Sequence, residues 1–153
     1  MSDHLLIRAA DKSDFAQWKV LWDGYNAFYG RKGPTALPDT VTNMTWSRFF
    51  DGYEPIHALV AEHAGKLAGL VHYLFHRSST SLTGNCYLQD LFTAESARGQ
   101  GVGRALIEEV YRRAAQAGSA KVYWQTHETN IHAMKLYDKV AKKSGFIIYS
   151  KEP

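Results

Sequence analysis

The chain has 153 residues, of which 45% are hydrophobic and 13% aromatic, so it is long enough to bury one sizeable core and predicts a single domain over residues 1–153. Its 18 Lys and Arg residues outnumber its 15 Asp and Glu residues, giving a net charge of +3. This excess is small and follows no basic stripe, which argues against nucleic-acid binding.

Cysteine content and hydropathy predict a cytoplasmic protein. The single cysteine, Cys86, excludes an intrachain disulfide and suits a reducing compartment, where we interpret it as a core residue of a strand. The first residues lack the basic stretch and apolar segment of a signal peptide. No window approaches the ~20 apolar residues that cross a membrane, so no membrane partner is expected.

The N-terminal half predicts a strand, two helices and a hairpin. Residues 5–8 form a short apolar strand, and an amphipathic helix over 15–25 follows a capping Asp or Ser. A loop rich in Gly and Pro over 30–38 precedes a second helix that ends near residue 51. The β-rich runs 57–61 and 67–75 then form a hairpin across a turn that contains Ala-Gly.

The C-terminal half predicts two further helices between strands. A third antiparallel strand over 87–93 leads into a helix over 102–117, which ends before a glycine. A strand over 121–126, a helix over 130–143 and a last strand over 146–149 complete the chain. No internal repeat or linker interrupts this order.

Three glycines at alternate positions lie where the strand over 87–93 leads into the helix over 102–117. Gly99, Gly101 and Gly103 lack a Cβ, so the backbone can adopt positive φ and a ligand can approach the N–H groups closely. Consecutive free amides form an anion site, and the positive end of the helix dipole adds to it. The segment therefore predicts a diphosphate cradle.

Two common phosphate loops do not fit this spacing. A Walker loop requires Lys and Ser or Thr after its last glycine, but Arg104 and Ala105 follow Gly103. A dinucleotide fingerprint requires Gly-x-Gly-x-x-Gly and a carboxylate about 20 residues further on, but the next strand, 121–125, carries none.

The remaining pattern resembles the GNAT superfamily of acyl-CoA-dependent N-acetyltransferases. Residues 98–103, Arg-Gly-Gln-Gly-Val-Gly, match its pyrophosphate loop, and Asn130 to Tyr137 followed by Gly145-Phe146 matches its second signature. The resemblance covers residues 57–150. It implies an α/β (α+β) GNAT fold, with a central mixed but mostly antiparallel sheet, strands four and five splayed, and flanking helices.

The resemblance also implies acetyl-CoA as cosubstrate, with no metal. The fourth strand offers its backbone to the pantetheine arm as a neighbouring strand would, Asn130 contacts that arm, and the loop binds the diphosphate. The implied coenzyme-binding residues are Leu91, Phe92, Thr93, Arg98, Gly99, Gln100, Gly101, Val102, Gly103, Arg104 and Asn130. From position alone, Asn130 equally suits a helix cap.

Two residues are the catalytic candidates. An attacking amine must lose a proton, and the departing thiolate must gain one. Tyr137 matches the tyrosine that protonates the sulfur in the family, although its spacing alone also suits a core aromatic. Polyamine acetyltransferases often carry Leu-Glu-Asp on the fourth strand, whereas this chain has Leu88-Gln89-Asp90. Gln89 cannot accept a proton, which leaves Asp90 or a water molecule as the base.

The acceptor is the least determined part of the prediction. The long spacing between Tyr137 and Gly145 resembles a branch that includes histone/polyamine and thialysine acetyltransferases, and favours a primary amine of a small molecule: a polyamine, a lysine-like compound or an amino acid. A protein lysine or N-terminal acetyltransferase and a non-catalytic acyl-CoA sensor are the alternatives. Aromatic residues of the first two helices form the acceptor pocket, the core or a homodimer contact.

Overall fold

A computed structural model describes residues 4–153 of the chain; residues 1–3, part of the segment on which the signal-peptide argument rests, lie outside the described residues. The strands are β1 (Leu5–Ala9), β2 (Ile56–His63), β3 (Lys66–His76), β4 (Asn85–Thr93) and β5 (Val122–Tyr123). The helices are α1 (Phe15–Phe28), α2 (Asp39–Arg48), α3 (Val102–Gln116) and α4 (Ile131–Val140). The element order up to α4 is the predicted one.

The strands form one sheet in the order β1-β2-β3-β4-β5, and this confirms the predicted fold class. The first four strands are antiparallel, and β5 runs parallel to β4. Only two residue pairs join β4 to β5, Cys86 with Val122 and Tyr87 with Tyr123. Beyond them the strands diverge, so the rest of β4 has no strand on its β5 side among the described residues.

The sheet is covered on both faces, and its central strands therefore bury consecutive residues. On β2, Leu59 packs in a cluster with α3 and Val60 packs in a cluster with α1. The α3 side is lined by Leu106, Ile107 and neighbours at helical spacing. Each such fully buried aliphatic side chain stabilises the fold by about 1.5–3 kcal/mol. Cys86 is fully buried in the α3 cluster, as predicted.

A glycine on β3 allows α3 to approach the sheet closely. A Cβ on Gly69 would lie 2.9 Å from Val102 Cγ1 and 3.0 Å from the carbonyl oxygen of Phe92. Any side chain at this position would push the first turn of α3 away from β4. Gly69 therefore fixes the distance between the glycine-rich loop and the end of β4.

Three predictions about the C-terminal third were wrong. The fifth strand ends at Tyr123 instead of 126 because β4 and β5 diverge there. Helix α4 ends at Val140 instead of 143, where Ala141 becomes extended and the next four residues, 142–145, are polar or glycine. Residues 146–149 form no strand, because no described strand lies beside them to pair with their backbone.

Candidate active site

The glycine-rich loop is built as an anion site. Gly99 and Gly101 have φ angles of +79° and +82°, and a Cβ at either position would meet open space. None of the backbone amides from Gly99 to Arg104 donates a hydrogen bond to a described residue. Gly101 is the N-cap of the 15-residue helix α3, so these amides lie at the positive end of its dipole. The loop can bind a diphosphate through main-chain donors.

The two arginines that flank the loop differ in their surroundings. Arg98 donates from Nε to the carbonyl oxygen of Thr93 at 3.4 Å and lies 5.8 Å over the ring of Phe92, with no ion pair to a described carboxylate. Arg104 pairs with Glu108 at 3.4 Å, one turn along α3. Arg98 is therefore the better placed of the two for a phosphate, because its charge is not neutralised.

The end of β4 meets the loop and α4 at one point. Leu91, Phe92 and Thr93 pair with β3, leaving the opposite edge of β4 open. A Cβ on Gly103 would lie 3.7 Å from Thr93 Oγ1 and 3.5 Å from Leu136 of α4. The open edge of β4 thus begins beside the anion site and leads towards α4.

A groove opens beside the same segment. It has a volume of about 450 Å³ and lies between one face of α1 and the residues from Phe92 to Arg98. Its walls are mainly apolar, and Arg98 supplies a positive charge at its border. A cosubstrate with an apolar arm and an anionic end matches both features.

Asn130 and Tyr137 lie at the start and in the middle region of α4. Asn130 is the N-cap residue but its side chain caps nothing: Nδ2 donates to Thr126 Oγ1 at 3.1 Å. The half-buried Tyr137 packs edge-on against Trp124 at 5.4 Å, and no described residue is hydrogen-bonded to its hydroxyl. Burial, with a contribution from Tyr29, raises the pKa of Tyr137 to about 12. The phenol is therefore a neutral O–H donor at physiological pH.

Asp90 belongs to a buried hydrogen-bond network. Its carboxylate is bonded by His72 Nδ1 at 2.9 Å and accepts the hydroxyl of Tyr25 at 2.7 Å, while its side chain is 11% exposed. Trp18 Nε1 lies 3.1 Å from Nε2 of the fully buried His72. Because an indole only donates, His72 accepts from Trp18 and donates from Nδ1 to Asp90.

A bulge in β4 produces this arrangement. His72 pairs with Asp90 and the next residue, Tyr73, pairs with Leu88, so Gln89 is the extra residue. Gln89 is exposed, whereas Asp90 faces α1. The sequence pattern pointed to Asp90 but not to Tyr25 and His72 as its partners. The spacing of Trp18 and Tyr25, two turns apart on one helix, was the available signal.

Two tyrosines at the end of α1 lie near Asp90. The ring of Tyr29 lies 5.1 Å from that of Tyr25, whose hydroxyl is bonded to Asp90. Burial and the charge of Asp90 raise the pKa of both Tyr25 and Tyr29. Tyr29 also contributes to the raised pKa of Tyr137, so it is near the α4 phenol as well. We call the region around Asp90, Tyr29 and Tyr137 the cleft.

Comparison with known proteins identifies the family of the chain. The model of the acetyltransferase (GNAT) family matches residues 18–141. The chain belongs to this family. The matched residues include the glycine-rich loop, β4 and α4. The chain is an acyl-CoA-dependent N-acetyltransferase.

Two curated GNAT relatives and one solved structure cover nearly the whole chain. The D-amino-acid N-acetyltransferase HPA3 of Saccharomyces cerevisiae is 35% identical over 99% of this chain and 92% of its own length. YhfO of Bacillus subtilis, an uncharacterized N-acetyltransferase, is 28% identical over 94% of each chain. The aminoglycoside N-acetyltransferase AAC(6')-Iy, solved in complex with CoA, is 17% identical with a TM-score of 0.83, covering 99% of this chain and 97% of that one.

The described residues contain neither a group of three metal ligands nor a helix that could span a membrane. Within residues 4–153, no three His, Cys, Asp or Glu side chains are grouped so that they could hold a metal ion. Over the same residues, none of the helices has both the length and the apolar character that a membrane span requires.

Proposed function

We propose that this GNAT enzyme transfers the acetyl group of acetyl-CoA to a primary amine of a small molecule, by direct attack within a ternary complex. The amine nitrogen forms a bond to the acetyl carbon, the carbon–sulfur bond breaks, and the products are an amide and coenzyme A thiol. The observation that carries the proposal is that the anion loop, the end of β4 with its open edge, and α4, the helix of Tyr137, meet around Gly103.

In this proposal the chain binds acetyl-CoA mainly through its backbone. The amides from Gly99 to Arg104, which include Gln100 and Val102, hold the diphosphate, and Arg98 pairs with its oxygens. The backbone of Leu91 to Thr93 bonds the pantetheine arm along the open edge of β4. Asn130, whose Oδ1 has no described partner, accepts a hydrogen bond from the arm. The CoA bound to the aminoglycoside acetyltransferase supports acetyl-CoA as the cosubstrate.

In this proposal two side chains transfer the protons of the reaction. Asp90 accepts two hydrogen bonds, and a carboxylate has room for about four, so it can also accept one from the incoming ammonium. Its negative charge draws the cation into the cleft, and it removes the proton directly or through the Tyr25 hydroxyl. Tyr137 donates its proton to the departing thiolate, and its raised pKa of about 12 keeps it protonated throughout the neutral range.

The activity of one relative favours a small-molecule amine as the acceptor. HPA3, at 35% identity, is a D-amino-acid N-acetyltransferase. The aromatic walls of Tyr25 and Tyr29 suit an amine with an apolar stem. Trp46 and Phe49, two aromatic residues of the second predicted helix, instead pack against Trp18 in the core.

The test is release of coenzyme A thiol from acetyl-CoA against a panel of amines. The panel contains amino acids, spermidine, thialysine, an aminoglycoside and a lysine-rich peptide. Thiol release with the small amines supports the proposal. Release with the peptide alone identifies a protein acetyltransferase, and silence with every amine while calorimetry shows acetyl-CoA binding identifies a sensor.

We also propose that the enzyme is a homodimer in which each subunit covers the C-terminal tail, residues 146–149, of the other. Phe146, Ile147, Ile148 and Tyr149 are each at least 68% exposed, although the run is apolar and β-rich. The β5 side of the sheet is an open edge among the described residues. The tail of a second copy supplies both the apolar cover and the missing strand partner.

A further inference from the structure

The end of α1 holds one arginine in a fixed position beside the cleft. Gly30, with φ of +82°, donates to Ala27 O at 3.0 Å, and Arg31 N donates to Asn26 O at 2.9 Å. This pair of bonds is a Schellman motif, which ends the helix and fixes the direction of the chain after it. The Cα of Arg31 is thereby anchored to the helix that carries Tyr25.

The side chain of Arg31 is anchored as well, but its charge is not neutralised. Its Nε donates to Asn26 Oδ1 at 2.6 Å, and the amide of Asn26, which is 4% exposed, donates in turn to Trp22 O at 2.9 Å. The anchor is a neutral amide. Within residues 4–153 no carboxylate forms an ion pair with Arg31, whereas Arg8 pairs with two and Arg113 with one.

This arrangement leaves the outer part of the guanidinium available. Neither terminal nitrogen of Arg31 donates to a described residue. These two nitrogens form the planar fork that binds a carboxylate through two parallel hydrogen bonds. A fork held at Nε by a buried partner loses little conformational freedom when it binds.

The guanidinium of Arg31 lies against the tyrosines near the proposed proton acceptor. Its central carbon is 5.5 Å from the ring centre of Tyr29 and 5.9 Å from that of Tyr25. The hydroxyl of Tyr25 is hydrogen-bonded to Asp90. Arg31 is thus linked to the proposed proton acceptor through the ring of Tyr25.

We propose that Arg31 binds the carboxylate of the acceptor and selects an α-amino acid over a polyamine. The inference rests on the proposed function. Asp90 and Arg31 both contact Tyr25 and so provide a negative and a positive charge near one another. An amino acid carries the complementary ammonium and carboxylate groups. A polyamine brings positive charge alone and is repelled by Arg31. Arg31 is then the specificity residue, and Asn26 positions it.

The test compares amino acids with their own methyl esters, which keep the amine and the side chain but lose the negative charge. Alanine, methionine and phenylalanine are used in both enantiomers, with acetyl-CoA saturating. For wild-type enzyme we expect the acids to have a lower KM than the esters. Arg31→Gln should raise KM for the acids about 10- to 100-fold, the value of a charge-assisted pair, and leave kcat and the esters nearly unchanged.

Matched variants separate recognition from a structural effect. Lys32→Gln removes the adjacent exposed cation and should leave every KM unchanged. Arg31→Lys keeps the charge but loses the fork and the bond to Asn26, so it should restore only part of the affinity for the acids.

Two results would overturn the inference while leaving the proposed function standing. One is an Arg31→Gln variant that changes KM for acids and esters equally, or changes neither. The other is a wild-type enzyme that acetylates spermidine and the esters in preference to every acid. Absence of thiol release with any amine would instead remove the proposed function and the inference together.

Discussion

Tyr137 is the residue whose chemistry is most directly testable. Replacing it with Phe keeps the packing against Trp124 and removes only the hydroxyl. We expect kcat to fall about 10²-fold while the dissociation constant of acetyl-CoA changes by less than about threefold, because the hydroxyl acts when the thiolate leaves. Steady-state kinetics and calorimetry measure the two quantities.

Tyr111→Phe is the matched control for Tyr137. It removes a hydroxyl that donates to Val140 O at 2.8 Å, so it perturbs the attachment of α4 to α3 while leaving the Tyr137 hydroxyl in place. Its kcat should stay close to that of wild type. Because the pKa of Tyr137 is raised to about 12, the wild-type rate should also show no loss from its ionisation below about pH 11. An unchanged kcat in Tyr137→Phe would show that Tyr137 is not the acid that protonates the thiolate.

Asp90 also holds its hydrogen-bond network together, so a loss of activity on mutation could come from disturbed packing alone. Its role as a base is tested by comparing amines of different pKa, because disturbed packing should affect all of them equally. We expect Asp90→Asn to lower kcat/KM about 10²-fold for an amine that is protonated at the assay pH, and much less for an amine of low pKa that is already neutral. Gln89→Ala, at the neighbouring exposed bulge position, should change neither. Equal losses for both amines would assign Asp90 a structural role alone.

At the scale of the element, the loop before α3 depends on backbone conformation. Gly101→Val places a β-branched side chain at φ of +82° and into the open space above the free amides. We expect acetyl-CoA binding to weaken at least 10-fold in calorimetry, because the donors are displaced as well as covered. Gly118→Val imposes the same strain at the other end of α3, where φ is +76°. It should lower the melting temperature without weakening acetyl-CoA binding. If both variants weakened acetyl-CoA binding equally, the proposal that the loop before α3 binds the diphosphate would be contradicted.

At the scale of the whole molecule, the exposed tail predicts the oligomeric state. We expect light scattering after gel filtration to give twice the mass of one chain at micromolar concentration. Ile147→Asp/Ile148→Asp should give the mass of one chain, since charges in the tail cannot be covered by an apolar partner. Leu82→Asp alters another fully exposed apolar residue, away from the tail, and should remain dimeric. A wild-type protein of single-chain mass would end the homodimer proposal.

The sequence by itself determined the features that are local along the chain. The glycine-rich loop, its helix and the β2–β3 hairpin each depend on residues within one short segment, so their spacing alone was informative. Only the tertiary structure joined Asp90 to Tyr25 and His72 to Trp18, which are 65 and 54 residues apart. It also placed Arg31 beside the cleft and left residues 146–149 unpaired, because strand pairing and side-chain contact depend on neighbours that are distant in the chain.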